Sequence, residues 1–221
     1  MANQDPEQIN LIKEIDEELR QENFAKLWKL YGNYLIIAAV LFVVSVAAYQ
    51  GWKAYDLNKR AEDSSLYNLA TKAFIQDKPD KASSALIRLA KEGTKGYSTL
   101  ARLSQAGLKA RSGDAPGAGA AYLSIANDPS VDEIFRDLAL VLSTMHDLDK
   151  GDTAELIQRI RRLTASSNPW RHSAKELAAL LAHRNGERQQ ADQLFKELAD
   201  DVTAPADIRA RATELAASSG N

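Results

Sequence analysis

Residues Leu30 to Trp52 have the sequence LYGNYLIIAAVLFVVSVAAYQGW, and this stretch decides how the chain is organised. It contains no charged side chain, and Leu35 to Ala48 is apolar except for Ser45. As an α-helix rising about 1.5 Å per residue it would be roughly 34 Å long, enough to cross a hydrocarbon core of about 30 Å. A lone strand in lipid would leave its backbone polar groups unpaired. The stretch therefore predicts a single transmembrane helix over residues 30–52.

Aromatic side chains lie at both ends of this stretch. Six of the ten Trp and Tyr residues of the chain are found there: Trp28, Tyr31 and Tyr34 at one end, and Tyr49, Trp52 and Tyr55 at the other. Trp and Tyr are enriched at the two interfaces of a membrane because their rings are amphipathic. We therefore predict that these six residues are membrane-interface aromatics and that residues 30–52 contact the lipid bilayer.

Two other interpretations of the apolar stretch are a buried core helix and a cleaved signal peptide. A buried core helix of this length would rarely lack every charge. Val46-Ala47-Ala48 has the small residues that a signal peptidase requires, but a signal peptide begins with a short basic segment. Residues 1–29 are acidic, with seven Asp or Glu against four Lys or Arg. The sequence thus favours an uncleaved anchor.

Residues 1–29 are predicted to form an amphipathic helical arm that leads into the membrane. Asp5-Pro6 suits a helix start, because Asp can cap the N-terminus and Pro fits the first helical position. The apolar residues Ile12, Ile15 and Leu19 recur at spacings of three and four, while the other face carries glutamates. Such an arm could bind a partner, lie against the bilayer or form a solvated stem, and the sequence leaves these alternatives open.

The charges around the span do not fix its orientation. Three basic residues closely precede it and three closely follow it, so the positive-inside rule favours neither orientation clearly. A short arm before a first span usually stays in the cytoplasm while a large following domain is translocated. We therefore expect a cytoplasmic N-terminus and a C-terminal domain on the far side of the membrane.

The remaining residues, 53–221, are numerous enough for one domain with a sizeable core. From Leu57 onward there are 23 Lys or Arg and 22 Asp or Glu, a balance that argues against nucleic-acid binding. The short basic cluster of Arg159, Arg161 and Arg162 is interpreted as the solvated face of a helix. The chain has no cysteine, which excludes disulfides, thiol nucleophiles and thiolate metal sites.

Helix-forming residues dominate after the span, and helix breakers interrupt them at two sets of positions. The first set is Asp77-Lys78-Pro79, Ser112-Gly113-Asp114, Lys150-Gly151-Asp152 and Asn185-Gly186-Glu187. The second set is Gly93 to Gly96, Asp128-Pro129, Asn168-Pro169 and Ala204-Pro205. Two turn series offset by half a period describe a stack of helical hairpins, and a period of about 35 to 38 residues is typical of helical repeats.

The residues that follow each turn of the first set repeat as well. In three of the four hairpins a small residue is followed four positions later by a large one, which lets two helices cross closely, and in the third hairpin both positions are aliphatic. The eight predicted repeat-packing residues are Ala82, Leu86, Ala118, Tyr122, Leu156, Ile160, Ala191 and Phe195. The pattern predicts an all-α fold with about four hairpins in residues 53–221, closed by a last helix over residues 205–219. A non-repetitive helical bundle is the alternative.

No motif in the sequence indicates catalysis, a metal or a cofactor. His146, His172 and His183 do not form a recognised metal-binding spacing. The glycine-rich segment from Gly113 to Gly119 lacks the lysine and hydroxyl residue of a phosphate-binding loop, so its glycines are expected to permit a tight turn and close helix approach. Trp170 is expected to be buried between adjacent hairpins, the alternative being an exposed anchor for a partner.

The Gly turn, Ala, aromatic residue and terminal Pro of the hairpins resemble the second half of the tetratricopeptide repeat, while the first helices match it poorly. The whole chain resembles bacterial single-span proteins with a tetratricopeptide-like domain, described as ancillary subunits of the Sec translocon. Their domain family also includes a cell-division coordinator. The segments that carry the resemblance are IKEIDEELRQENFAKLWKLYGNYLI (12–36), FRDLALVL (135–142) and TAPADIRARATELA (203–216).

This resemblance implies an anchor in the bacterial inner membrane, a cytoplasmic N-terminus and a periplasmic repeat domain. Since no motif indicates catalysis or a cofactor, we expect a non-enzymatic interaction scaffold, and the resemblance implies that it assists Sec-dependent translocation and hands proteins over to periplasmic chaperones. The expected partners are Sec translocon subunits and periplasmic chaperones. Alternatives are a self-associating structural protein of the envelope, a cell-division coordinator-like adaptor, and an enzyme that uses a helical cleft.

Overall fold

The structure, a computed structural model, describes the backbone of residues 6–219 and the side chains of residues 20, 22 and 24–218. Within this range the chain forms nine α-helices and no strand, which confirms the predicted all-α fold there. The helices are α1 Pro6–Ile75, α2 Pro79–Glu92, α3 Lys95–Arg111, α4 Ala115–Ala126, α5 Glu133–Asp147, α6 Thr153–Ile160, α7 Arg171–Arg184, α8 Arg188–Asp200 and α9 Ala206–Ser219. The predicted cap at Asp5 and the side chains of Ile12, Ile15 and Leu19 lie outside the described part.

The chain divides into two compact units between Asn58 and Lys59. The first unit contains the N-terminal part of α1. In the second unit the helices pair as hairpins: the last part of α1 with α2, α3 with α4, α5 with α6, and α7 with α8. Helix α9 packs on α8 and α7 at the C-terminal end. Both predicted turn series fall at the junctions between these helices, with Pro79 beginning α2 and Gly96 lying in the first turn of α3.

Three turns of the first series end their helices in the same way. Asp77, Gly113 and Gly186 have positive φ angles of 56°, 87° and 81°. The N–H of the residue after each bonds to a carbonyl five residues earlier, at 2.9–3.0 Å, as in the Schellman motif. Glycine adopts this conformation without a Cβ clash, and the short polar side chain of Asp also tolerates it.

The turn at Gly151 is held by a side chain from the next hairpin. Arg184 of α7 donates to the carbonyl of Leu148, to the carbonyl of Gly151 at 2.7 Å and to the hydroxyl of Thr153. These bonds satisfy two carbonyl groups of the turn, which belong to neither α5 nor α6. The third hairpin therefore depends on the fourth for its turn.

The eight repeat-packing positions are all 0–5 % exposed in the second unit. Leu86 belongs to an N-terminal core cluster, Tyr122 and Ile160 belong to a central one, and Phe195 belongs to a C-terminal one. The C-terminal cluster also contains Ile208 of α9. The buried apolar surface thus runs through all four hairpins and ends under the last helix.

The interpretation of the basic cluster as a solvated helix face is wrong for Arg159. Its side chain is only 10 % exposed. Its guanidinium donates to the Ser143 hydroxyl at 2.8 Å and to the Asp147 carboxylate at 2.6 Å. Helix α6 ends after Ile160, and the chain continues as a 3₁₀ turn over Arg161–Thr164. The three arginines consequently do not share one helix face.

In each hairpin, a polar residue of the first helix holds the turn that follows the hairpin. The pairs are Asp63 with the Thr94 N–H, Arg102 with Asp128, Asp137 with the Asn168 amide, and His172 with Asp201, at donor–acceptor distances of 2.5–3.1 Å. We call these four contacts the turn latches. Each latch ties two segments that are 26 to 31 residues apart, so it fixes how the hairpin closes.

Two latch carboxylates also organise their own turns. Asp128 accepts from the Ser130 hydroxyl at 2.6 Å and from the Ser130 N–H at 2.9 Å, and Asp201 makes the same two bonds with Thr203. The Ser130 hydroxyl, followed by the Arg102 guanidinium, lowers the pKa of Asp128 to about 2. The Thr203 hydroxyl is the main cause that lowers the pKa of Asp201 to about 2.

Acid should therefore weaken both turns. A carboxylate whose pKa is lower in the folded state stabilises the fold above its unfolded pKa of about 3.9, and this stabilisation disappears as the pH falls toward about 2. We expect the free energy of unfolding to decrease between about pH 4 and pH 2, with a smaller decrease in the variants Asp128→Asn and Asp201→Asn. Denaturant melts across this pH range measure the effect. An unchanged pH dependence in both variants would contradict the assignment.

Candidate functional site

A groove of about 520 Å³ lies in the second unit between the last part of α1 and helix α3. Its walls and floor are formed by Tyr67, Ala70, Thr71 and Phe74 of α1, Leu100, Leu103, Ser104, Gly107 and Leu108 of α3, Ala82 and Leu86 of α2, and Tyr122 of α4. We call it the α1–α3 groove. Its volume falls within the range of roughly 300–1,000 Å³ that is common for ligand sites.

Each wall of the groove is one face of one helix. The α1 residues follow the spacing i, i+3, i+4, i+7 from Tyr67, and the α3 residues follow the same spacing from Leu100. Residues at these intervals lie one above the other on a helix. Arg111, which contacts Phe74, lies one turn beyond the last lining residue of α3, so the wall including Arg111 is roughly 17 Å long, or about three helical turns.

Aromatic contacts define the two ends of the groove. At one end the rings of Tyr67 and Tyr97 lie 6.3 Å apart in a tilted arrangement. At the other end the guanidinium of Arg111 lies over the ring of Phe74, 4.4 Å from its centroid. A cation in this position is attracted by the negative face of the ring. The groove thus has an aromatic end and a cationic end.

Gly107 gives the α3 wall its lowest point. A Cβ at this position would touch only the Tyr122 hydroxyl oxygen, at 3.4 Å. Burial raises the pKa of the Tyr122 phenol, so its hydroxyl stays protonated. The ring of Tyr122 is fixed from behind by His146 of α5, which stacks on it with centroids 5.6 Å apart. A glycine within a helix costs about 1 kcal/mol relative to alanine, and here it leaves open space above Tyr122.

The chemistry of the groove favours burial of apolar side chains. Its polar atoms are hydroxyls, and several are already paired: Tyr67 Oη and Ser104 Oγ share a hydrogen bond of 3.3 Å, and Thr71 Oγ1 donates to the Tyr67 carbonyl at 3.0 Å. None of the residues that line it carries a carboxylate, imidazole or amine. The groove therefore presents apolar side chains and hydroxyls to an occupant.

The residues predicted from the sequence fall in several places. The six predicted interface aromatics belong to the first unit and are 54–72 % exposed. Of the repeat-packing residues, Ala82, Leu86 and Tyr122 form the floor of the α1–α3 groove. The described part of the chain contains one helical stretch, Phe24–Ile75, that is long and apolar enough to cross a membrane.

The histidines do not come together in the structure. His146 lies behind Tyr122, His172 forms a turn latch, and His183 is exposed near the end of α7. Among the described side chains, no group of three or more His, Asp or Glu is arranged to hold a metal ion. Trp170 is half-buried, and its indole N–H donates to the Ile134 carbonyl of the preceding hairpin at 3.0 Å.

The expected role of the glycine-rich segment agrees with the geometry. Gly113 forms the tight turn. Gly119 is buried where α4 meets α5, and it permits this close approach because a Cβ there would lie 2.5 Å from an Asp147 carboxylate oxygen. The α1–α3 groove itself was not predicted. The signal that could have indicated it is the helical stripe from Tyr67 to Phe74, together with Gly107 inside a helix.

Comparison with known proteins gives one informative match. The sequence profile of the family described as "Tetratricopeptide repeat-like domain" matches residues 25–217. No curated protein and no solved structure gives a significant match. Since the profile covers most of the 221 residues and the hairpin architecture agrees with it, the chain belongs to the tetratricopeptide repeat-like domain family.

Proposed function

We propose that this protein is a membrane-anchored protein–protein interaction scaffold whose α1–α3 groove binds a segment of a partner protein. Tetratricopeptide repeat-like domains are generally non-catalytic interaction modules. The observation that carries the proposal is the largely apolar groove in the second unit, which offers a site where apolar side chains of a partner can be buried. Tethering to a membrane raises the effective concentration near a membrane complex, so each contact can be weak.

The proposed domains are an N-terminal arm over residues 1–29, a transmembrane helix over 30–52 and the repeat domain over 53–221. Large apolar side chains of the first unit support the span, since Leu35, Phe42 and Val43 are 57–70 % exposed. So large an exposed apolar surface is typical of a segment that contacts lipid. The six flanking aromatics would then lie at the two membrane interfaces.

The more specific proposal follows from the family resemblance. It places the protein in the bacterial inner membrane, where it would assist Sec-dependent translocation and hand proteins over to periplasmic chaperones. Sec translocon subunits and chaperones are accordingly the proposed partners. The alternatives, self-association in the envelope and a cell-division coordinator-like adaptor, predict a different set of bound proteins.

The proposed topology has its own test. With the N-terminus in the cytoplasm and the repeat domain in the periplasm, a periplasm-specific reporter fused after Asn221 should be active, because the large domain after the span is translocated. A cytoplasm-specific reporter at the same site should be inactive. Reporter activity in intact cells measures both. The opposite pair of activities would reverse the orientation.

Filling the groove at Gly107 should separate binding from stability. In Gly107→Leu the new side chain enters the groove, while loss of a helical glycine should keep or raise the free energy of unfolding, by about 0.5–1 kcal/mol. We expect partner recovery from detergent-solubilised membranes to fall at least about fivefold. Quantitative mass spectrometry of proteins purified with the full-length chain measures it.

Gly96→Leu is the matched control. Gly96 also lies in α3 and a Cβ there meets no atom within 4 Å, but the residue does not line the groove. This variant should retain the partners. Equal recovery with both variants would exclude the groove as the binding site. Recovery of translocon and chaperone subunits would support the specific proposal, and recovery of this chain alone would favour self-association.

A further inference from the structure

We propose that the occupant of the α1–α3 groove is an amphipathic α-helix of a different protein, with apolar side chains toward the floor and a carboxylate at the Arg111 end. This inference rests on the proposed function and specifies its partner. It follows from three properties of the groove: the state of its polar groups, the form of its walls and the position of its charge.

The polar groups argue for a helix over an extended segment. Both walls are α-helices, so their backbone N–H and C=O groups are already bonded and offer no edge to which a strand could pair. The side-chain hydroxyls of Tyr67, Ser104 and Thr71 are engaged as well. An extended peptide would bury unpaired backbone groups here, whereas a helix satisfies its own.

The walls have the form that a third helix requires. Each presents a stripe at spacings of three and four, and such stripes accept the ridges of a neighbouring helix. Ala70 in one wall and Gly107 in the other are small, which permits a close approach. The α3 wall is about three turns long, so a partner helix of roughly 11 residues would lie along it and contact it with one face. Anchors at i, i+3, i+4 and i+7 would fill it.

The positive charge at one end of the groove favours a negatively charged group on the partner. Arg111 covers the Phe74 ring with the face of its guanidinium, which leaves N–H groups at its edge for a carboxylate. A carboxylate on the last turn of the occupant would form a charge-assisted hydrogen bond there. The acidic arm of this chain is not the occupant, because the proposed topology places it across the membrane.

Photocrosslinking in cells tests the inference. The full-length chain carries a photoreactive phenylalanine analogue at Thr71, which is exposed on the groove wall, or at Gln189, which is exposed on α8 and lies outside the groove. After irradiation, mass spectrometry maps the adducts. Position 71 should crosslink to another protein, in a segment with apolar residues at i, i+3, i+4 and i+7 and with Asp or Glu near one end. Position 189 should give at least about fivefold less of this adduct.

Two substitutions then test the helix and the charge. Arg111→Glu should lower the adduct yield about tenfold, and Arg188→Glu on the exposed start of α8 should leave it unchanged. A synthetic peptide with the mapped sequence should bind the full-length chain in detergent, as measured by fluorescence anisotropy. Proline at its centre should weaken binding by at least about tenfold, because proline breaks a helix and is tolerated in an extended chain.

The outcomes separate this inference from the proposed function. Adducts without the helical spacing, or a peptide that tolerates the proline, would contradict a helical occupant. An unchanged adduct yield in Arg111→Glu would contradict the proposed carboxylate at that end. The partner loss in Gly107→Leu would still support the groove. Adducts that map to residues 1–29 of the same chain would overturn the choice of a different protein. Absence of adducts at position 71, together with full partner recovery in Gly107→Leu, would overturn both.

Discussion

Replacement of Phe195 by alanine should lower the free energy of unfolding by about 3–5 kcal/mol, which is the usual cost of removing a well-buried aromatic ring. Phe195 is 1 % exposed and belongs to the C-terminal core cluster. This cluster joins α8 to α9 through Ile208 and Ala212, so the cavity would lie under the helix that closes the stack. Denaturant melts of a fragment comprising residues 57–221, which we expect to fold by itself, measure the change.

Arg188→Ala is the control for this experiment. Arg188 is exposed at the start of the same helix, and its replacement should change the free energy of unfolding by less than about 0.5 kcal/mol. Ala191 is fully buried one turn before Phe195, so Ala191→Phe should overpack the same contact and cost about 1–3 kcal/mol. If both core variants melt like the parent while Arg188→Ala does not, the predicted repeat register is wrong.

Replacement of Arg159 by alanine should cost up to about 3 kcal/mol, the upper end of the usual cost of leaving a buried polar group without its hydrogen-bond partner. The guanidinium joins the first and second helices of the third hairpin through Ser143 and Asp147. Ser143 is fully buried, so its hydroxyl would lose its partner in a site with little access to water. Melts of the same fragment measure the effect.

Arg161→Ala is the matched control in the same basic cluster. Arg161 is exposed on the 3₁₀ turn, and its loss should change the free energy of unfolding by less than about 0.5 kcal/mol. Arg159→Lys should fall between the two, because lysine keeps the charge but cannot reproduce the forked geometry of a guanidinium. Equal melts for Arg159→Ala and Arg161→Ala would restore the interpretation of the cluster as a solvated face.

The turn latches follow a regular spacing in the sequence that is not recognisable from the residue types alone. Arg102, Asp137 and His172 are spaced by 35 residues, and each contacts the turn that follows its hairpin. Their side chains differ in type and charge, so a search for repeated residue types passes over them. What repeats is the position of a polar group in the first helix, and only the folded hairpin reveals that each reaches a turn 26 to 31 residues away.

The sequence by itself determined the positions of most helices and of the turns that end them, although the Gly151 turn also depends on Arg184 of the next hairpin. Gly113 and Gly186 end helices because of their own φ angles, and the spacing from Ala118 to Tyr122 or from Ala191 to Phe195 is a property of one helix. These features depend on interactions within about five residues, so local sequence is sufficient for them. The membrane span over residues 30–52 is of the same local kind and stays a prediction.

Only the tertiary structure decided the environment of Arg159 and the existence of the α1–α3 groove. Arg159 follows Leu156 by three residues and so lies on the packing side of α6, but its burial depends on its partners in α5, which lies across the hairpin. The groove likewise depends on the separation of α1 and α3. Buried side chains of two other helices, Leu86 of α2 and Tyr122 of α4, form the floor between them. Such distances result from the packed volumes of segments tens of residues apart, and packing acts only once those segments have met.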